Sequence, residues 1–304
     1  MTAALEVRGL HKSYGDVRAL AGVDLIVERG QMVGFLGSNG AGKTTTMRAI
    51  IGLTAIDAGS VLRNGSPISI DDRRQIGYMP QERGLYARMK VHEHIAFIGR
   101  LAGLDDDTAD RRAHEWAERV GLDDRKDDMI LELSTGNQQR VQLGVALVHE
   151  PELLMLDEPF AGLDPVAVSM LAEVMTEQVE RGASVVFSSH QLDLVQDLTE
   201  DVTIIAGGRT RATGKVRELR QQSPHRVAQL RWAGDAPDWA PTDGERLDSP
   251  AGESHFRVSA DTEPAALIAS AARAGELVGV SFEPPGLEDV FLDVVQLSET
   301  NPSS

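Results

Sequence analysis

The chain has 304 residues, 41% hydrophobic and 25% charged, an ordinary globular composition with room for one large domain and a small one. It has no cysteine, which excludes disulfide scaffolding and cysteine-based metal sites, and no apolar run of the ~18 residues a membrane span needs. The formal charge is −17, with 25 basic and 33 acidic side chains in residues 1–220 but 5 and 14 in 221–304, so generic nucleic-acid binding through clustered Lys and Arg is not expected.

The N-terminus lacks the apolar core of a signal peptide, which fits a cytosolic protein. Residues 5–10 alternate as a strand, and 23–27 form a second one before the turn Glu28-Arg29-Gly30. Between them lies Tyr14, the first aromatic residue. Residues 31–36 suit a buried parallel strand. They lead into Gly37-Ser38-Asn39-Gly40-Ala41-Gly42-Lys43-Thr44-Thr45, a Gly-x4-Gly-Lys-Thr pattern, and then a helical stretch over 44–53. Strand, glycine loop and helix is the context that a phosphate-binding P-loop needs. The glycines let the backbone wrap a triphosphate, so that its N–H groups and the helix N-terminus meet the negative charge. Within this loop Lys43 is expected to reach the β- and γ-phosphates and Thr44 to ligate Mg2+.

Residues 59–65 read as a hairpin with Asn64-Gly65 as its turn, and 75–79 as a strand ended by Pro80-Gln81. From 91 to 120 the pattern is helical, with a start at Asp105 and a stop at Gly121, and 137–149 is helical again. Residues 153–156 form a fully buried strand closed by two carboxylates. At that strand end Asp157 can support the Mg2+ shell and Glu158 can polarise a water toward the γ-phosphate. Asp164-Pro165 opens a helix to Arg181, 184–187 is a further buried strand, and 201–214 another hairpin. Strands alternating with helices predict an α/β fold. A break at 220–225 separates residues 1–220 from 221–304. There strands over 226–232 and 255–258 flank a patternless polar loop, followed by a helix over 264–274 and a strand over 277–282. This second part reads as a small acidic α+β domain, with 298–304 expected to fray.

Further motifs stand in order along the chain: Gln81 after a strand, Leu133-Ser134-Thr135-Gly136-Asn137-Gln138-Gln139-Arg140, Gly162-Leu163-Asp164, and His190 at a strand end. Taken alone, Tyr14 also fits a packed aromatic and His190 a turn cap. Together, residues 4–220 resemble the ATP-binding subunits of ABC transporters. The resemblance implies a P-loop NTPase, RecA-like core, with an antiparallel β subdomain from 4–30 and 59–70 and a helical subdomain near 85–150. It implies that Tyr14 stacks on adenine, that Ser134 and Gly136 of the signature close on the ATP of an opposite subunit, and that Asp164 lies at the dimer seam. It makes Gln81 the sensor of Mg2+ and of the transporter partner, and His190 the contact to the γ-phosphate. Catalytic roles then fall to Glu158, His190 and Gln81, nucleotide binding to Ser38, Asn39, Gly40, Ala41, Gly42, Lys43, Thr44 and Thr45, and Mg2+ binding to Thr44, Gln81 and Asp157.

The commoner signature has Gly at the place of Thr135 and Gln at that of Asn137. The form here is similar to that of a bacterial branch with sodium-type and daunorubicin-type exporters. The run Glu283-Pro284-Pro285-Gly286-Leu287-Glu288-Asp289-Val290-Phe291-Leu292 looks like that branch too. In it Leu287, Val290, Phe291 and Val294 share a helical face, which either packs back on 226–282 or forms a dimer contact. The resemblance implies ATP and Mg2+ as cofactors and separate multi-span membrane subunits as partners. It also implies a second ATP-binding subunit, as a homodimer or a heterodimer, and a location on the inner face of the membrane. Leu85, Tyr86 and Met89 would anchor the membrane partner. An importer ATPase and a non-transport ABC ATPase of translation, repair or cluster assembly are the alternatives. Only one cassette is present, and the 52 residues between Gln81 and Ser134 are too few for coiled-coil arms.

Overall fold

The computed structural model describes residues 3–300, with 296–300 as backbone only, so the fraying expected of 298–304 lies largely outside the described residues. The chain forms two units, Met1–Thr213 and Gly214–Ser304.

In the first unit β1 (Leu5–Tyr14) and β2 (Val17–Val27) form a long antiparallel hairpin that closes where Tyr14 faces Val17. Both strands run further than the alternation suggests. The register slips after Val7, Leu10 and Lys12, and each slip interrupts the period of two that marks a strand in sequence. After β3 (Met32–Leu36) and α1 (Lys43–Ile50), β4 (Ala58–Arg63) pairs with β1 and turns into β5 (Ser66–Pro67). Asn64 and Gly65 make that turn at φ 51° and 82°, the left-handed pair that a two-residue hairpin favours. The resulting antiparallel sheet has the order β2-β1-β4-β5.

A short helix α2 (Ile70–Arg74), unforeseen in the sequence, is held by a capping box: the Ser69 hydroxyl accepts from Asp72 N, and the Asp72 carboxylate accepts from Ser69 N. Next come β6 (Ile76–Met79), α3 (Val91–Leu101), α4 (Asp106–Arg119) and α5 (Thr135–Leu147), the last three making the helical part. Helix α4 starts on Asp105, whose carboxylate accepts from Thr108 N at 2.9 Å. Helix α5 packs on β6 closely enough that a Cβ at Gly77 would lie 2.2 Å from Ala146 O. Then follow β7 (Leu153–Leu156), α6 (Pro165–Glu180), β8 (Ser184–Ser189), α7 (Leu192–Leu198), β9 (Asp201–Ala206) and β10 (Arg209–Lys215). The central sheet has the order β10-β9-β3-β8-β7-β6, and β6, β7, β8, β3 and β9 pair in parallel. Every residue of β3, β7 and β8 is buried, as expected for a parallel sheet covered on both faces. Phe35, Met47, Leu153 and Met155 join Leu5, Leu20 and Leu25 of the antiparallel sheet in one core. This is the α/β P-loop NTPase architecture with an antiparallel β part and a helical part.

The second unit begins before residue 220. Helix α8 (Val216–Gln222) belongs to it, and Arg220 donates to Pro285 O at 2.7 Å and to Pro284 O at 3.2 Å. Its sheet has the order β12-β13-β11-β14, from β11 (His225–Trp232), β12 (Glu245–Leu247), β13 (Glu253–Ser259) and β14 (Leu277–Glu283). The short β12 occupies part of the stretch read as a patternless loop. Helix α9 (Pro264–Ala271) covers the sheet with Leu267 and Ala271 against Ala228, Leu230, Trp232, Phe256 and Val258. Helix α10 (Leu287–Thr300) ends the unit, with Asp289 paired to Arg257. Leu287 and Val290 are buried within the single chain, which removes them from any dimer contact by this helix.

Phe256 is fully buried, with Trp239 edge-on at 5.5 Å and the Arg246 guanidinium 5.3 Å from its ring centre. Phe256→Ala is expected to cost the second unit about 3–5 kcal/mol. Differential scanning calorimetry should then show one transition moved down, with the transition of the first unit in place.

Candidate nucleotide-binding site

Strand β3 delivers the chain to the glycine loop, and the loop turns into α1 through Gly42 at φ 107°. Only glycine fits there. A Cβ at Gly42 would lie 2.7 Å from Leu20 Cδ2 and 2.9 Å from Ala19 O. As the N-cap it also offers no side chain to the first N–H groups of α1, which remain available to an anion. A cleft of about 150 Å3 follows the loop, lined by Ala19, Ser38, Asn39, Gly40, Gly42, Lys43, Thr44, Thr45, Gln81 and Glu158. Ala41 instead turns into the core and is buried.

Lys43 is buried, and its ammonium donates to Gly37 O at 2.7 Å and lies 3.4 Å from Glu158 Oε1. Glu158 sits two residues beyond β7, where the chain leaves the sheet with Asp157 N donating to Met79 O. Its backbone has φ 52°, a left-handed conformation that a non-glycine residue holds only when its surroundings enforce it. Ser188 of β8 supplies part of that enforcement: its hydroxyl accepts from Glu158 N at 2.8 Å and donates to Asp157 Oδ1 at 2.8 Å. His190 Nδ1 bonds Glu158 Oε2 at 2.8 Å from a ring that is more than half exposed. Ser188 is a site residue that sequence reasoning missed. A polar pair, Ser188-Ser189, inside a buried strand is the signal that could have found it.

Two buried oxygens complete the picture. Asp157 Oδ2 has no hydrogen-bond partner, and Glu158 Oε1 has only the Lys43 charge nearby. A buried carboxylate oxygen without a donor is costly unless a cation or water reaches it. Asp157 Oδ2 is therefore open to a cation or a water, and Thr44 and Gln81, which line the cleft, carry further oxygens of the kind Mg2+ prefers. Within β6, burial and then the Asp157 charge push the Tyr78 phenol up to about 12, so it stays neutral.

The remaining expected residues lie outside the cleft lining. Tyr14 is half exposed, its hydroxyl 3.4 Å from Thr54 Oγ1 and Lys12 Nζ 5.3 Å from its ring centre. Ser134 is exposed and caps α5, accepting from Asn137 N at 3.3 Å. Asp164 caps α6, accepting from Ala167 N at 2.9 Å. Gly136 and Leu163 are neighbours, since a Cβ at Gly136 would lie 3.7 Å from Leu163 Cδ2. The signature and Gly162-Leu163-Asp164 thus approach each other in the single chain, and none of their residues lines the cleft.

A glycine loop between β3 and α1, facing a carboxylate pair at the end of a parallel strand, defines a P-loop nucleotide-binding domain. The family model described as ABC transporter matches residues 20–161. The ABC transporter ATP-binding protein YhaQ of Bacillus subtilis is 42% identical over 71% of this chain and 73% of its own length. The Nod factor export ATP-binding protein I of Cupriavidus pinatubonensis is 33% identical over 96% of this chain and 90% of its own. A solved structure of an ATP-binding subunit of an ABC transporter superposes with a TM-score of 0.67 at 34% identity, covering 72% of this chain and 92% of that one. The chain belongs to the ATP-binding subunits of ABC transporters, whose domain binds and hydrolyses ATP.

Proposed function

We propose that the chain drives export of a solute through separate membrane subunits, by ATP hydrolysis in a dimer with two composite sites. The observation that carries the reading is the convergence of Lys43, Thr44, Gln81 and Glu158 on one cleft, with His190 on Glu158. In this reading Ser38, Asn39, Gly40, Ala41, Gly42 and Thr45 present the loop to the phosphates, and Lys43 turns from Gly37 O to them. Thr44, Gln81 and Asp157 hold Mg2+, which offsets the charge of the phosphate oxygens when bound. Glu158 takes the proton of the attacking water as its oxygen bonds the γ-phosphorus and the bond to the bridging oxygen breaks. His190 orients Glu158 and reaches the γ-phosphate.

In the same reading exposed Ser134 and Asp164, with half-buried Gly136, none of them on the cleft lining, complete the site of a second subunit, and Tyr14 offers its ring to adenine. Because every motif occurs in this chain, a homodimer suffices. Residues 214–304 form an accessory domain without nucleotide contacts. Export is favoured over import by the variant signature and by the relatives named for export, one of which also matches the second unit. The test is sedimentation with ATP and Mg2+: Glu158→Gln should sediment as a dimer and Glu158→Gln/Ser134→Arg as a monomer. A monomer in both overturns the composite-site reading.

Among the described residues no helix is long and apolar enough to cross a membrane, and in this reading a membrane partner docks on the surface. Tyr86, Met129 and Leu131 are exposed apolar residues brought together where Leu131 N bonds Ala87 O and Lys90 bridges Met129. Of the anchors expected in the sequence, Leu85 and Met89 are half-buried, and Tyr86 stands out. Tyr86 rests edge-on against His94, whose burial lowers its pKa to about 4 and keeps the ring neutral. Tyr86→Ser/Leu131→Ser is expected to abolish transport in membrane vesicles and to leave the ATPase of the isolated subunit within about twofold, as for anchors of an interface. A parallel loss of ATPase and thermal stability would assign these residues to the core instead.

A further inference from the structure

Helix α5 begins at the cap Ser134 and carries two buried glutamines, at 9% and 4% exposure, whose amides would be costly there without hydrogen-bond partners. Both amides are spent on backbone carbonyls of other segments. Gln139 Nε2 donates to Pro159 O at 2.5 Å, and Pro159 directly follows Glu158. Gln142 Nε2 donates to Pro80 O at 3.2 Å, and Pro80 directly precedes Gln81. Prolines lack the N–H that could tie these turns back into the sheet, so their carbonyls are natural handles. The two gripped turns leave neighbouring strands: Met79 of β6 faces Leu156 of β7, and Asp157 N bonds Met79 O at 2.8 Å. A third tie joins the same helix to the segment after Gln81, where Arg83 Nη1 donates to Gln138 Oε1 at 3.0 Å.

We infer that Gln139 and Gln142 are positioning residues that hold Glu158 and Gln81 at a fixed offset from α5, so that seating of the α5 N-terminus on the second subunit's nucleotide is felt at the hydrolytic residues of its own chain. The inference rests on the composite-site reading above. Helix α5 is rigid and spans from Ser134 to both turns. A shift at its N-terminus therefore displaces Pro159 and Pro80 together, and with them the two side chains that line the cleft. The signature then acts on two sites: directly on the partner's nucleotide and, through two amides, on the water-polarising carboxylate of its own subunit.

The test uses the full chain with Gln139→Met, Gln142→Met and the double variant, since Met keeps length and apolar packing but removes the donor. The probes are ATP for turnover and a fluorescent ATP analogue for binding to the monomer. Expected are monomer affinities within about twofold of wild type and turnover lowered about tenfold to hundredfold, the cost of a small misplacement of a catalytic group. The Hill coefficient for ATP should fall toward about 1, the value for uncoupled sites. The double variant should lose less than the sum of the single losses, because either change loosens the same contact between helix and turns. Wild-type turnover and Hill coefficient per folded molecule, at any melting temperature, would overturn the inference. Lowered turnover with an unchanged Hill coefficient would overturn the transmission between sites. Glu158→Gln in parallel separates the layers: if it hydrolyses ATP like wild type, the reading of the site itself fails. If it stalls while the Met variants run normally, only the role of Gln139 and Gln142 fails.

Discussion

Glu158→Gln is expected to lower ATP turnover about 10²- to 10⁴-fold, the usual contribution of a positioned general base, while nucleotide affinity stays near wild type. The substitution preserves shape at a crowded position. The backbone at φ 52°, with its N–H on Ser188, does not depend on the side-chain charge, and the amide can still pair with His190. What disappears is the carboxylate that takes a proton from water. Because only the chemical step is impaired, ATP-bound dimers should accumulate. Stopped-flow binding combined with single-turnover phosphate release checks both halves. Equal phosphate release in wild type and Glu158→Gln would remove Glu158 from the chemistry.

Lys43→Met should fail at the opposite stage. Its ammonium is buried on Gly37 O at 2.7 Å, at the base of the loop and 3.4 Å from Glu158 Oε1, where it can swing to a phosphate without crossing solvent. Charge-assisted hydrogen bonds contribute about 1.5–3 kcal/mol each, so nucleotide affinity should fall about tenfold to hundredfold. The variant also leaves Glu158 Oε1 buried without its nearby cation, so a lower melting temperature without nucleotide should accompany the loss. Calorimetric titration with ATP, paired with a melting curve, separates the two effects. Unchanged affinity would mean that the loop binds phosphate through its backbone alone.

Much of the architecture was legible in the sequence because it is written in short-range chemistry. The glycine loop declares itself through residues that must adopt left-handed backbone or leave space, as at Gly42. The strands β3 and β7 are runs of four or five residues buried on both faces, and such runs need no partner to be recognised. The turn at Asn64-Gly65 and the caps at Asp105 and Asp164 are equally local.

Only the tertiary structure decided the rest, because the deciding partners are far apart in the chain. Ser188 reaches Asp157 across 31 residues, Gln139 reaches Pro159 across 20, and Gln142 reaches Pro80 across 62. No periodicity or spacing rule connects such pairs, and a glutamine on an apolar helix looks like a surface position until its acceptor is known. The strands β1 and β2 exceeded their sequence pattern because register slips break the alternation. The division of the chain fell after Thr213 instead of at 220, because Arg220 bonds the carbonyls of Pro284 and Pro285. The apolar face of α10 had two possible uses by pattern alone, and burial of Leu287 and Val290 in the single chain assigned them to packing. Periodicity states that a face is apolar; only packing determines what covers it.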